Sequence, residues 1–70
     1  MTDNTVTTYR LQSLADSANG ALMANDLRRA EAAITGMRHV LERHPEVANH
    51  DSWVTIHRQL EDSLEADQGH

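Results

Sequence analysis

The segment Asn25-Asp26-Leu27-Arg28-Arg29-Ala30 decides the fold, because it interrupts a helical pattern of apolar residues that restarts and runs towards Pro45. Asn tolerates the left-handed backbone that ends a helix, and Asp is a favoured N-cap of the helix that follows. Proline lacks an amide hydrogen and its ring clashes with the preceding turn, so the second helix ends before Pro45. The segment therefore predicts two antiparallel helices joined by a tight turn.

Three stretches of the chain carry apolar residues with a helical period. The first precedes the turn, the second predicts a helix over about residues 27–43, and the third begins near Trp53. Their apolar positions are Leu11, Leu14, Ala15, Ala18, Ala21 and Leu22, then Leu27, Ala30, Ile34, Met37 and Leu41, then Trp53, Ile56, Leu60 and Leu64. We predict an all-α fold, in which an antiparallel helical hairpin and a third helix form a small three-helix bundle.

The same patterns predict the boundaries of the domain and of its helices. Residues 1–70 suffice for one small domain with a modest core. We expect the polar ends, residues 1–7 and 66–70, to fray, with Thr7 or Thr8 as the first N-cap. Gly20 lies inside the first helix, where we expect it to permit close approach of a neighbouring helix.

Two further segments separate the second and third helices. Residues 45–48 begin with proline, which suits the first position of a short helical turn. Residues 49–52 are polar and contain candidate N-caps, so we expect them to form the connector that precedes the third helix. Residues 27–44 have a net charge of +2 and residues 45–70 a net charge of −5, a difference that favours pairing of the second and third helices.

Composition excludes several classes of protein. The chain has 70 residues, a net charge of −5, six basic residues that are all Arg, and no Cys, so it forms no disulfides and no cysteine-ligated zinc site. Its acidity argues against direct nucleic-acid binding, which needs a basic surface. No apolar stretch is long enough to span a membrane, and the first residues do not resemble a signal peptide, so we expect a cytoplasmic protein without membrane contact.

The five histidines invite a metal or pH-dependent hypothesis. They are His39, His44, His50, His57 and His70. His57 and Glu61 are one helical turn apart, and His50 could lie one or two turns before them, but the sequence lacks a His-Glu-x-x-His motif. We expect scattered surface histidines and no metal or cofactor, although histidines at an interface can confer sensitivity near about pH 6.

No pattern indicates catalysis. Glu61-Asp62 and the pair Glu65 and Asp67 are typical of a solvated helix end, because acid–base catalysis needs carboxylates in a shaped pocket. The sequence contains no glycine-rich phosphate loop, and its serines lie in no setting typical of a nucleophile. We therefore predict that the chain is not an enzyme.

The middle of the chain resembles a tetratricopeptide repeat over about residues 14–60. Ala18, Ala21 and the segment of residues 25–30 are similar to the first helix and its turn, and residues 41–45 are similar to the end of the repeat. Trp53, Ile56 and Leu60 resemble the opening of a following helix. The second helix is about one turn too long, and the chain holds at most one and a half of the repeats that normally stack in threes. Either kinship or convergence accounts for the resemblance, and kinship would imply a protein-binding scaffold.

We predict a non-enzymatic interaction module, or a small regulatory or accessory chaperone-like protein, that binds another protein or forms a homodimer through an apolar helix face. Flanking acids would steer the encounter with the partner. The candidate partner-binding residues are Tyr9, Met23, Met37, Val40, Trp53, Ile56, Leu60, Glu61 and Glu65, with Met37 and Trp53 also suited to the core. The alternative is an acidic inhibitor or decoy, as phages encode, that docks on a basic nucleic-acid-binding surface.

Overall fold

The computed structural model describes residues 4–68, which form three α-helices and the two links between them. Helix α1 covers Asn4–Met23, α2 covers Leu27–Arg43 and α3 covers His50–Gln68. Helix α1 packs most extensively against α2, and α3 lies mainly against α2. The predicted all-α arrangement, a helical hairpin with a third packed helix, is confirmed.

The turn between α1 and α2 forms as the sequence predicts. Asn25 has a φ of 58°, and the amide of Asp26 donates to the carbonyl of Ala21 at 2.8 Å, which closes α1 in a Schellman motif with a second bond from Asn25 to Leu22. The side chain of Asp26 accepts a hydrogen bond from the amide of Arg29 at 3.3 Å, so Asp26 caps α2. Three residues thereby reverse the chain.

The core lies between the facing sides of the hairpin and is completed by α3 and the second link. Its buried residues are Leu11, Ala18, Ala21, Ala30, Ala33, Ile34, Met37, Leu41, Val47, Leu60 and Leu64. The alanines near the turn therefore face each other in this core: Ala18 and Ala21 on α1, and Ala30 and Ala33 on α2. Since alanines bring the two helices close together, the hairpin buries its apolar surface with few large side chains.

Gly20 does not permit a close helix approach, which corrects the prediction. It is exposed, and a Cβ atom at this position would meet no atom within 4 Å outside the helix's own neighbouring backbone. The close approach occurs instead at Gly36 in α2, where the space that a Cβ would take is bordered by the side chain of Leu14. The sequence pattern missed Gly36 because it followed alanine and the larger apolar residues and did not include glycine on α2.

The predicted start of α1 and the predicted end of α3 need correction. Helix α1 begins at Asn4 instead of Thr7 or Thr8, and both threonines are half-buried inside it. Partial burial of Thr7 and Thr8 against the rest of the molecule offsets the modest helix propensity of threonine. Helix α3 includes residues 66–68, which were expected to fray. Of the predicted frayed ends, residues 1–3 and 69–70 lie outside the described part of the chain.

The second link is shorter than predicted and forms turns instead of a helix at residues 45–48. The amide of Val47 donates to the carbonyl of His44 at 3.1 Å. Val47 is buried, although it belongs to none of the three helical patterns of apolar residues. Asn49 has a φ of 60° and its carbonyl accepts from the amide of Trp53, so α3 starts at His50. Most of the expected connector is therefore the first turn of α3.

Candidate protein-binding surface

Helix α1 keeps large apolar side chains in solvent. Tyr9 is 72% exposed and Met23 is 85% exposed, and Val6 on the same helix is also exposed. The apolar residues of α2 are concentrated on its buried side, whereas those of α1 are distributed around the helix. We define the outer face of α1 by six of its exposed positions, Val6, Tyr9, Ser13, Ser17, Gly20 and Met23, and the charged residues Arg10 and Asp16, which are also exposed, lie beside them.

The outer face of α1 is nearly free of charge. Within Asn4–Met23 the charged residues are Arg10 and Asp16, which have opposite signs. Small residues separate the large apolar ones, because Ser13, Ser17 and Gly20 follow Tyr9 at helical spacing. An apolar surface with few charges and small residues between large ones suits the packing of another helix.

The first turns of α1 also border a groove of about 370 Å³ at the second link. Its lining residues are Thr5, Thr8, Tyr9, Gln12 and Ala48. Tyr9 was predicted from the sequence, but the rest of this groove was not, because the position of the second link against α1 depends on tertiary packing. Val6 was also missed, although its spacing of three residues from Tyr9 was a usable signal.

The predicted partner-binding residues do not form one surface. Tyr9 and Met23 lie on the outer face of α1, whereas Glu61 and Glu65 are exposed on α3. Met37 is fully buried and Leu60 is buried, so neither can contact a partner while the fold is intact, which corrects their selection. The remaining three are partly buried against the core: Val40, Trp53 and Ile56.

A second groove, between α1 and α3, contains two of the predicted residues. Ile56 and Leu60 line it opposite Ala15 and Asp16, and its volume is about 280 Å³. The polar side chains of Asn19, Gln59 and Ser63 complete the lining. This groove marks the weaker of the contacts that hold α3 in place.

A third groove, of about 350 Å³, separates the end of α2 from the start of α3. The imidazole Nε2 of His57 is buried there without a hydrogen-bond partner. The Nε2 of His50 lies 3.4 Å from the carbonyl oxygen of Leu41. The lining residues are Arg38, Leu41, Glu42, Pro45, His50, Val54 and His57.

The histidines do not converge with carboxylates. Among residues 4–68, no three His, Cys, Asp or Glu side chains are placed to hold a metal ion. His39 is exposed on α2, and His70 lies outside the described residues. His44 contacts Glu46, with 3.2 Å between Nδ1 and Oε1, at the C-terminal end of α2. The pKa of Glu46 is lowered by a backbone hydrogen bond first and by the hydrogen bond with His44 second.

The charges of α2 and α3 do not meet in ion pairs. Arg38 and Glu42 pair within α2 at 3.5 Å, and His50 and Asp51 are neighbours at 4.0 Å. Within residues 4–68 no ion pair joins α2 to α3, so the expected contribution of charge to their pairing does not come from direct contacts. The carboxylates near the end of α3 are exposed.

Comparison with family models, with curated proteins and with solved structures finds no match to this chain. The resemblance to the tetratricopeptide repeat therefore stays a prediction. Across residues 4–68, none of the helices combines the length and the apolar content needed to cross a membrane.

Proposed function

We propose that this chain is a non-enzymatic protein-binding module that docks through the outer face of α1. One observation carries the proposal: Val6, Tyr9 and Met23 are exposed on a single helix, although the same helix buries Leu11 in the core. Large apolar side chains grouped on a nearly uncharged face mark interaction sites more often than isolated ones do. Tyr and Met are also enriched in protein interfaces.

The mechanism would be stoichiometric. A partner's apolar surface covers the outer face of α1, water leaves both surfaces, and no covalent bond changes. Burial of apolar surface contributes about 25 cal/mol for each Å² removed from water, so Tyr9 and Met23 would supply much of the affinity. The acidic residues of α3 lie elsewhere on the molecule and would affect the rate of encounter more than the stability of the complex.

Photo-crosslinking in the native cells tests this proposal. Tyr9→p-benzoylphenylalanine places an aromatic crosslinker on the outer face of α1, and Thr35→p-benzoylphenylalanine places it on the exposed side of α2 as a matched control. We expect a discrete adduct from position 9 and none from position 35. Equal adduct formation at the two positions, or no adduct at position 9, would contradict the proposal.

The acidic-decoy function is a second candidate, because four carboxylates near the end of α3 are exposed: Glu61, Asp62, Glu65 and Asp67. Among the described residues none of them forms an ion pair, so all four are available to a basic partner surface. Salt dependence separates the two functions, since charge-driven docking weakens steeply with ionic strength and apolar docking does not. Charge reversal at Glu61 and Glu65 would abolish decoy binding and leave docking through α1 intact.

A further inference from the structure

The chain exposes more surface than a compact protein of its mass. Its accessible surface is 5010 Å² at 7.8 kDa. A monomeric protein of this mass is expected to expose about 4,400 Å². The difference is on the order of 600 Å². The molecule is also elongated, with extents of 45 × 17 × 15 Å, so a long flank is available for association.

Charge restricts which flank two copies can share. Helix α2 carries four arginines against two glutamates, and α3 carries five carboxylates against Arg58. Two copies that met through α2 alone, or through α3 alone, would bring like charges together. Helix α1 has no net charge over Asn4–Met23, and it also carries the exposed Tyr9 and Met23. Contact between α2 of one copy and α3 of the other would join opposite charges, but among the described residues three of the four exposed large hydrophobic side chains lie on α1, which two copies can share without repulsion.

We propose that a second copy of this chain covers the outer face of α1, with the two α1 helices antiparallel about Ser13. This inference rests on the proposed function and names its partner. Ser13 lies near the middle of α1 and is exposed. A two-fold axis at its level would therefore let the pairing extend along the whole helix, whose length is about 30 Å.

Antiparallel pairing about Ser13 places large side chains at the same level as small ones. Val6 and Gly20 are equally distant from Ser13 along the helix, and so are Tyr9 and Ser17. Val6 and Tyr9 of one copy therefore face small residues of the other, which suits close packing, whereas Met23 lies at the end of the paired length. Parallel pairing would instead set Tyr9 against Tyr9 and Arg10 against Arg10, and it would align the helix dipoles unfavourably.

Disulfide trapping tests the proposal cleanly, because the chain has no Cys and each variant carries a single thiol. The test variant is Ser13→Cys, and the control is Ala32→Cys, at an exposed position of α2. Inside a dimer the effective thiol concentration is about one millimolar, against about ten micromolar for free chains in solution, so we expect Ser13→Cys to crosslink about a hundredfold faster. Circular dichroism verifies that both variants remain helical.

A mixture of Val6→Cys and Gly20→Cys chains fixes the orientation. We expect the mixture to form a mixed disulfide dimer quickly, while each variant alone crosslinks slowly. Rapid crosslinking of each variant alone would overturn the antiparallel arrangement. Equal, slow rates for Ser13→Cys and Ala32→Cys would overturn the second copy as the occupant. In that case an adduct between position 9 and a different protein would still support the proposed function, whereas no adduct would remove both.

Discussion

A Cβ atom on Gly36 would lie 3.3 Å from Cδ2 and 3.6 Å from Cδ1 of Leu14, so the side chain of Leu14 on α1 packs directly against Gly36 of α2. The shorter of these contacts is tighter than ordinary van der Waals packing between side chains. The two helices of the hairpin therefore approach through a leucine and a glycine, in addition to the alanines near the turn. Gly20 on α1, by contrast, faces open space.

This difference predicts unequal effects of two identical substitutions. Gly20→Ala should raise the free energy of unfolding by about 0.5–1 kcal/mol, because alanine is the better helix former and nothing opposes its methyl group. Gly36→Ala gains the same propensity but must displace Leu14, so its net gain should be smaller. Urea unfolding at low protein concentration measures both. A larger gain at Gly36 than at Gly20 would contradict the packing described.

Truncation of Met37 and of Met23 should separate core from surface. Met37 is fully buried, so Met37→Ala should cost about 2–5 kcal/mol through lost contacts and a cavity. A loss of that size is comparable to the whole stability of a domain this small, and circular dichroism should show a largely unfolded chain. Met23→Ala is the matched control, and at an exposed position it should change stability by less than about 0.5 kcal/mol. Similar losses for the two variants would contradict the assigned core.

The turn between α1 and α2 should depend on the side-chain oxygen of Asp26. Asp26→Ala removes the acceptor of the Arg29 amide and should cost about 1 kcal/mol of stability, whereas Asp26→Asn should retain most of it. Thermal unfolding of the three chains provides the comparison. An unchanged midpoint for Asp26→Ala would show that the cap does not stabilise α2.

Stability should depend on the ionisation of Glu46. Because the fold lowers the pKa of Glu46 from its ordinary 4.5, the ionised carboxylate contributes stability above that pH, and the contribution is lost as the pH falls through the lowered pKa. Wild type should therefore unfold at a higher temperature than Glu46→Gln at about pH 6, and the difference should shrink as the pH falls below 4.5.

His44 provides the control for that prediction. His44→Asn removes the hydrogen bond with Glu46 but leaves the backbone hydrogen bond that is the larger cause of the lowered pKa. The effect of Glu46→Gln on the unfolding temperature should therefore shrink in the His44→Asn background without disappearing. If the effect of Glu46→Gln on the unfolding temperature grew as the pH fell, it would contradict a lowered pKa of Glu46.

Local sequence signals predicted the hairpin well. Asn25 and Asp26 act within three or four residues of the chain, through a left-handed backbone and a side-chain cap, so their roles needed no tertiary information. The bounds of α2 followed for the same reason. The predictions for the start of α1 and for the second link were wrong. The second link depends on packing between distant segments of the chain, as the burial of Val47 shows.

The candidate surface was predicted only in part. Tyr9 and Met23 were identified because they lie off the main apolar pattern. Met37 and Leu60 were wrong as partner-binding residues, since residue type suggested an interface while their positions in the pattern placed them in the core. The outer face of α1 could be defined only from the structure, because its small residues form no recognisable surface until the buried side of the helix is known.

The most direct test of the central claim, that the outer face of α1 binds protein, is the sedimentation of the radiolabelled chain, both purified and in an extract of its native cells. The account predicts a particle larger than the 7.8 kDa monomer at both low and high salt. It also predicts that Ser13→Arg, but not the control Ala32→Arg, returns the chain to monomer size. A 7.8 kDa particle at every concentration, in buffer and in extract, would contradict the claim.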